Sequence, residues 1–134
     1  PRVADQGGAA VPPVVHREVM PGSPENMREV VVDVSERREV EPLPVTGGTG
    51  MNSGDQTYET VSSLLTKPLP GYGELFRMLS YQQVGSAAML SRSIGGMMAD
   101  TVLLTMPGSP RAVDLAMEEI ILPELGHLIS EARR

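Results

Sequence analysis

The spacing of apolar positions changes along this chain, and each change marks an element. "VVHREVM" at 14–20 is a short β-branched run that predicts a strand. Beyond it, Met27, Val30, Val31 and Val34 recur at i, i+3, i+4 and i+7, the stripe of an amphipathic helix. Ser23 as N-cap, Pro24 at the first helical position and Glu25 in the first turn favour that helix. Three consecutive valines alone would favour a strand. "VEPLPV" at 40–45 reads as a strand, although Pro42 and Pro44 lack the N–H groups that a sheet interior uses. "TYETVSSLLTK" carries Val61, Leu64 and Leu65 at helical spacing and stops at "PLPGYG". "ELFRMLSYQQVGSAAMLSRS" continues helical, in two pieces broken near Gly85. "DTVLLTM" at 100–106 is an apolar run of strand length, suited to a buried strand of a parallel sheet. Ser109 and Pro110 then open a helix with Val113, Met117, Ile120 and Ile121 inward. Pro123 restarts a last helix with Leu125, Leu128 and Ile129 inward.

Strands alternating with helices give an α/β domain with a mostly parallel sheet. Residues 1–13, "PRVADQGGAAVPP", carry no periodicity and read as an irregular N-terminal segment ahead of one domain over 14–134. In such sheets ligands lie beyond the carboxyl ends of the strands. "TGGTG" and "MPGSP" both fall at such ends and both run into helices, which places two glycine-containing turns along one rim.

Composition narrows the partners. Net charge is −6 and unblocked, so no broad basic face offers itself to nucleic acid. A nucleotide or other phosphorylated ligand needs only a few local donors and stays compatible. The chain has no cysteine, which excludes disulfides, thiolate catalysis and thiolate metal sites. Aromatics amount to three Tyr and one Phe, so the core is aliphatic, with nine Met filling gaps. No apolar run approaches the roughly 20 residues of a membrane span. No signal-peptide pattern opens the chain, so a cytoplasmic protein is the expectation.

The stretch "TGGTGMNSGDQTYE" at 46–59 concentrates the candidate chemistry. Glycines let successive amides converge on an anion, and a helix start adds a favourable field for phosphate. Thr46 and Thr49 add hydroxyls. Asp55 would repel phosphate unless magnesium bridges the two, and a carboxylate there also suits a simple helix cap. A tight turn and an anion cradle both fit the glycines. No Gly-Lys-Ser/Thr follows and no G-x-G-x-x-G is present, so neither common nucleotide-binding motif applies.

"GGTGMNSGDQTYE", "KPLPGYGELFRMLS", "AAMLSRSIGG" and "LLTMPGSPRAV" together resemble the MoaB/Mog family of molybdenum cofactor biosynthesis proteins, which includes molybdopterin adenylyltransferases and the gephyrin G domain. The resemblance covers roughly residues 14–134. It implies a three-layer α/β/α sandwich with a mostly parallel sheet, without the family's first strand and helix, assembled as a homotrimer. It implies molybdopterin and Mg-ATP as substrates, with AMP joined to the pterin phosphate, and other molybdenum cofactor pathway proteins as partners. By the same resemblance Gly47, Gly48, Thr49 and Gly50 cradle phosphate, and Asp55 is the catalytic, metal-associated carboxylate. Thr57 and Glu59 support it, and Glu74 is an acid at the site. Ser91 and Arg92 help to hold the anionic pterin, and Pro107, Gly108 and Ser109 form the second rim loop. Exposed apolar faces on the late helices would fit the trimer.

The chain also departs from the adenylyltransferase pattern. Gly22 stands where those enzymes carry an aspartate after the proline, and Gly54 where an arginine precedes the loop aspartate. A non-catalytic MoaB-like molybdopterin-binding protein is therefore the alternative to the enzyme. His16 and His127 stand on segments with no acid partner in view, and read as structural.

Overall fold

The computed structural model describes residues 24–37 and 42–134. The expectations for the strand at 14–20, for Ser23 and for the irregular segment 1–13 fall outside these residues, as do His16 and Gly22. The described elements are α1 (Pro24–Ser35), β1 (Leu43–Thr46), α2 (Thr57–Leu64), β2 (Lys67–Pro68), α3 (Pro70–Val84), β3 (Gly95–Met98), β4 (Thr101–Met106), α4 (Pro110–Ala116) and α5 (Leu125–Ala132). The strands form one sheet in the order β1-β4-β3-β2. β1 runs parallel to β4, with Leu43 opposite Leu103 and Thr46 opposite Met106. β3 is antiparallel to both β4 and β2. The α/β class holds, and the described part of the sheet is mixed, its parallel pair being the one that feeds the two glycine turns.

β4 organises the layers. All six of its residues are buried, as expected of a strand covered on both faces. Val102, Leu104 and Met106 point into a cluster with Tyr72, Phe76, Leu115, Ala116 and Ile121, contributed by α3, α4 and the turn beyond it. Leu103 points the other way, onto Val31, Val45 and Val61, where α1 and α2 lie. The sheet is thus sandwiched between two helical layers. Each fully buried Leu or Met contributes about 1.5–3 kcal/mol relative to exposure.

The prolines before the glycine loop fit because of which way they face. Gly47 N–H donates to the Met106 carbonyl at 2.8 Å. Residues of the same parity, Leu43 and Val45, therefore face β4 along the ladder, while the missing N–H of Pro44 falls on the opposite edge. Pro42 precedes the strand.

α3 ends where the sequence placed its break. Gly85 takes φ +69°, and a 3₁₀ turn over Gly85–Leu90 follows. Pro123 has a broader effect: α4 passes through a π-helical turn (Met117–Ile121) and a 3₁₀ turn (Leu122–Glu124) before α5 begins. A proline removes the donor of an ordinary helical bond, and wider or tighter turns absorb the mismatch. Exposed apolar surface falls on α3 and its following turn rather than on the late helices. Leu75, Met78, Tyr81, Val84, Met89 and Leu90 all stand in solvent, Met89 at 77% and Tyr81 at 61% exposure.

Candidate functional site

The rim beyond the β1 and β4 carboxyl ends carries the two glycine turns side by side. Gly47 and Gly48 adopt φ +94° and +70°, conformations that cost other residues about 1–2 kcal/mol. A Cβ on Gly108 would stand 3.5 Å from the Cα of Gly47, so the second turn rests directly against the first. Thr57, at the start of α2, holds the first turn closed. Its hydroxyl donates to the Gly47 carbonyl at 2.7 Å, and its N–H to the Gly48 carbonyl at 3.1 Å. Thr57 is buried, and Thr49 is only 3% exposed.

Among the described residues, the backbone N–H groups of Gly48, Thr49, Gly50 and Met51 have no protein acceptor. Four successive amides without protein partners, on glycine-permitted backbone, are the donors that an anion cradle requires. Asp55 closes the loop from the other side. Its Oδ2 accepts from Asn52 N–H at 3.1 Å, and its own N–H donates to the Asn52 carbonyl at 2.9 Å. A Cβ on Gly50 would stand 2.7 Å from that same Oδ2. The α2 N-cap position is Gln56, whose side chain makes no capping bond. Asp55 therefore shapes the loop and does not cap the helix. Gly54 at the tip has open space around it.

Arg92 ties the loop to the body of the domain. Its Nε donates to the Gly50 carbonyl and one terminal nitrogen to the Asp55 carbonyl, both at 2.9 Å. The other terminal nitrogen pairs with the Glu59 carboxylate. The guanidinium also lies 5.4 Å from the centre of the Tyr58 ring, and Arg92 N–H donates to the Thr49 carbonyl at 2.7 Å. The hydrogen bond from Arg92 holds Glu59 below the usual carboxylate range. Every nitrogen of this side chain thus has a partner within the loop or α2.

Ser91 lies beside it, its hydroxyl 3.0 Å from that of Ser93. Arg77 of α3 donates to the Ser91 and Ser93 carbonyls at 3.3 and 2.9 Å. Ser109 caps α4, its hydroxyl accepting from Ala112 N–H at 3.2 Å. Glu74 is exposed on α3, just beyond its first turn. The first turn of α3 packs on the 91–93 segment, since a Cβ on Gly73 would meet the Ser93 carbonyl at 2.6 Å.

The structure corrects one reading. His127 has two acid neighbours, Glu124 at 3.2 Å and Glu131 at 3.8 Å, at helical spacing on an exposed face. Sequence reasoning passed over Tyr58 and Arg77. The available signal for Arg77 was a glycine four residues earlier, on the same face of one helix, leaving room for a long side chain.

The donor set bears on magnesium. Among the described residues no three His, Asp or Glu side chains gather as a metal cage. Magnesium commonly takes one or two carboxylates together with substrate phosphates, and Asp55 has one oxygen, Oδ1, without a hydrogen-bond donor among the described residues. The residues fit a cation shared with a phosphate ligand.

The chain matches the family described as "Probable molybdopterin binding domain" over residues 3–127. It is 46% identical over 122 residues to molybdenum cofactor biosynthesis protein B of Bacillus anthracis, covering 90% of this chain and 72% of that protein. It is 47% identical over 91 residues to the protein of the same name from Bacillus subtilis, covering 67% and 54%. A crystal structure of molybdenum cofactor biosynthesis protein B superposes with TM-score 0.83 at 46% identity, over 87% of this chain and 73% of that one. The tungsten cofactor synthesizing protein MoaB from Pyrococcus furiosus superposes with TM-score 0.69 at 35% identity, over 79% and 69%. Family match, identity over most of the chain and shared architecture agree, and the chain belongs to the molybdopterin-binding domain family, among the MoaB and Mog proteins.

Proposed function

We propose that this chain acts in molybdenum cofactor biosynthesis by binding molybdopterin and Mg-ATP at the double-loop rim and adenylylating the molybdopterin phosphate. The observation that supports the reading is the run of four amides at Gly48–Met51 without acceptors among the described residues, set against the Gly108 turn and beside Asp55. In the reaction, an oxygen of the pterin phosphate attacks the α-phosphorus of ATP and forms a new P–O bond. The bond between the α-phosphorus and the bridging oxygen to the β-phosphorus breaks, and pyrophosphate leaves with that electron pair. Positioning and charge neutralisation dominate such transfers. Gly47, Gly48, Thr49 and Gly50 form the phosphate cradle, with the amides as donors, and Thr57 keeps the turn in shape. Pro107, Gly108 and Ser109 border the second phosphate group. Asp55 would hold magnesium, which supplies charge neutralisation between the phosphates. Glu59 holds Arg92, and Arg92 holds the loop. Ser91 and Glu74 line the approach for the pterin. The exposed apolar stripe on α3 supports assembly as a homotrimer, and the cytoplasm supplies the ATP.

A second reading, a molybdopterin-binding protein without efficient transfer, is favoured by the single acid at the loop and by Gly54 beside it. One comparison separates the two: AMP transfer and molybdopterin binding by the parent chain, Asp55→Asn, Asp55→Ala and Gly22→Asp. The enzyme reading expects transfer by the parent and a loss of about 10²-fold or more in both Asp55 variants, with binding retained in Asp55→Asn. Binding without transfer by the parent would establish the second reading.

A further inference from the structure

We propose that Arg77, in the middle of α3, is a positioning residue for the ligand loop and acts through Arg92; the link to ligand affinity rests on the reading of the rim given above. Among the described residues, Arg77 makes no hydrogen bond or ion pair with the loop or with α2. One nitrogen of its guanidinium donates to the carbonyls of Ser91 and Ser93, the two residues that flank Arg92. The bond to Ser93, at 2.9 Å, is the closer of the two, and a charged donor makes it stronger than a neutral one. With both flanking carbonyls held toward α3, the backbone at residue 92 is fixed from behind.

On its other side Arg92 holds the far half of the loop: Gly50 and Asp55 through the side chain and Thr49 through the backbone, with Glu59 of α2 pairing its remaining terminal nitrogen. Two arginines therefore work in series. Arg77 fixes the segment to the helix, and Arg92 fixes the loop to the segment. Gly73 gives the arrangement room. A Cβ there would stand 2.8 Å from one terminal nitrogen of Arg77 and 2.6 Å from the Ser93 carbonyl. The paired hydroxyls of Ser91 and Ser93 add a second brace across the same residue. A lysine offers a point charge on a flexible stem in place of a planar fork, so it replaces this function only in part.

The test compares the parent with Arg77→Lys, Arg77→Met, Arg92→Met and the double methionine variant. The readouts are exchange protection of the Arg92 Nε–H and of the Asp55 and Thr57 amides, with amides of α4 as the reference. The expected result is about tenfold faster loop exchange in Arg77→Met, the size of one lost charge-assisted hydrogen bond, with α4 little changed. Arg77→Lys falls between that variant and the parent. The double variant exchanges no faster at Thr57 than Arg92→Met alone, as groups acting in series require. Molybdopterin affinity falls by a similar factor in Arg77→Met. Unchanged loop exchange, equal acceleration throughout the domain, or additive effects in the double variant would each overturn the proposal. If Arg77→Met does not fold, full protection of the Arg92 Nε–H in Arg77→Lys overturns it just as well. If the parent binds no molybdopterin, the functional reading falls while the exchange comparison still decides the role of Arg77.

Discussion

Thr57 fills the space that a side chain on Gly48 would need: a Cβ there would stand 2.3 Å from the Thr57 hydroxyl oxygen. Gly47 next to it has open surroundings and an equally left-handed backbone. The two glycines therefore separate two costs. Gly47→Ala should lose about 1–2 kcal/mol, the backbone cost alone. Gly48→Ala should lose clearly more, because Thr57 must move and release the Gly47 carbonyl. Urea unfolding of both variants checks this, and equal losses would show that the contact with Thr57 does not matter.

Arg92 should be visible in the titration of Glu59. The hydrogen bond it donates lowers the Glu59 pKa from the ordinary 4.5. A depressed carboxylate pKa contributes stability that is present above the unfolded value and is lost as pH falls through the folded value. In Arg92→Gln the carboxyl midpoint, followed by NMR, should rise back toward 4.5. The stability gap between the parent and this variant should narrow as the solution is acidified below that point. A Glu59 midpoint indifferent to Arg92 would rule out the pairing in solution.

Tyr72 gives the opposite case at high pH. Its hydroxyl donates to the Thr105 carbonyl at 2.7 Å within the core, and burial pushes its pKa far above the ordinary 10.0. A raised pKa contributes stability that is fully present below the unfolded value and is lost as pH rises through the folded one. The parent should lose stability progressively above about pH 10. Tyr72→Phe should cost about 0.5–1.5 kcal/mol at neutral pH and flatten that alkaline slope. Chemical denaturation at a series of pH values measures both effects.

The apolar stripe on α3 gives a prediction about assembly. Met78 and Tyr81 are both exposed and lie three residues apart on one helix face. Met78→Glu with Tyr81→Lys should leave the monomer fold intact, since neither side chain enters the core. If the chain assembles as the proposed homotrimer, the pair should shift the mass in sedimentation from trimer toward monomer. An unchanged mass would place the subunit contact elsewhere.

The sequence carried the helices well and the short strands poorly. α1 and α4 are legible because an apolar stripe coincides with a proline start, and in α4 with a serine cap; α3 starts at Pro70, inside the "PLPGYG" that reads as a stop, because a proline is tolerated in a first helical turn. β4 is legible as an unbroken apolar run. β3 is not, because Gly95 and Gly96 read as punctuation. They are glycine for a packing reason: a Cβ on Gly95 would meet Leu104 at 2.8 Å, and one on Gly96 would meet the Lys67 carbonyl at 2.5 Å. β2, at two residues, is too short for any period to appear. The rim loops were placed by the rule about strand ends. Their bracing was hidden, because Arg77 to Ser93 and Arg92 to Glu59 join residues 16 and 33 positions apart.

The open space around Gly54 makes the loop accessible to spectroscopy. The chain contains no cysteine, so Gly54→Cys would introduce its single thiol at the loop tip, where among the described residues no atom beyond its chain neighbours lies within 4 Å of the new Cβ. A fluorophore or spin label attached there reports from one known position without competing sites. Any response of the loop to an added phosphate ligand becomes a signal that can be followed in real time with no reaction taking place.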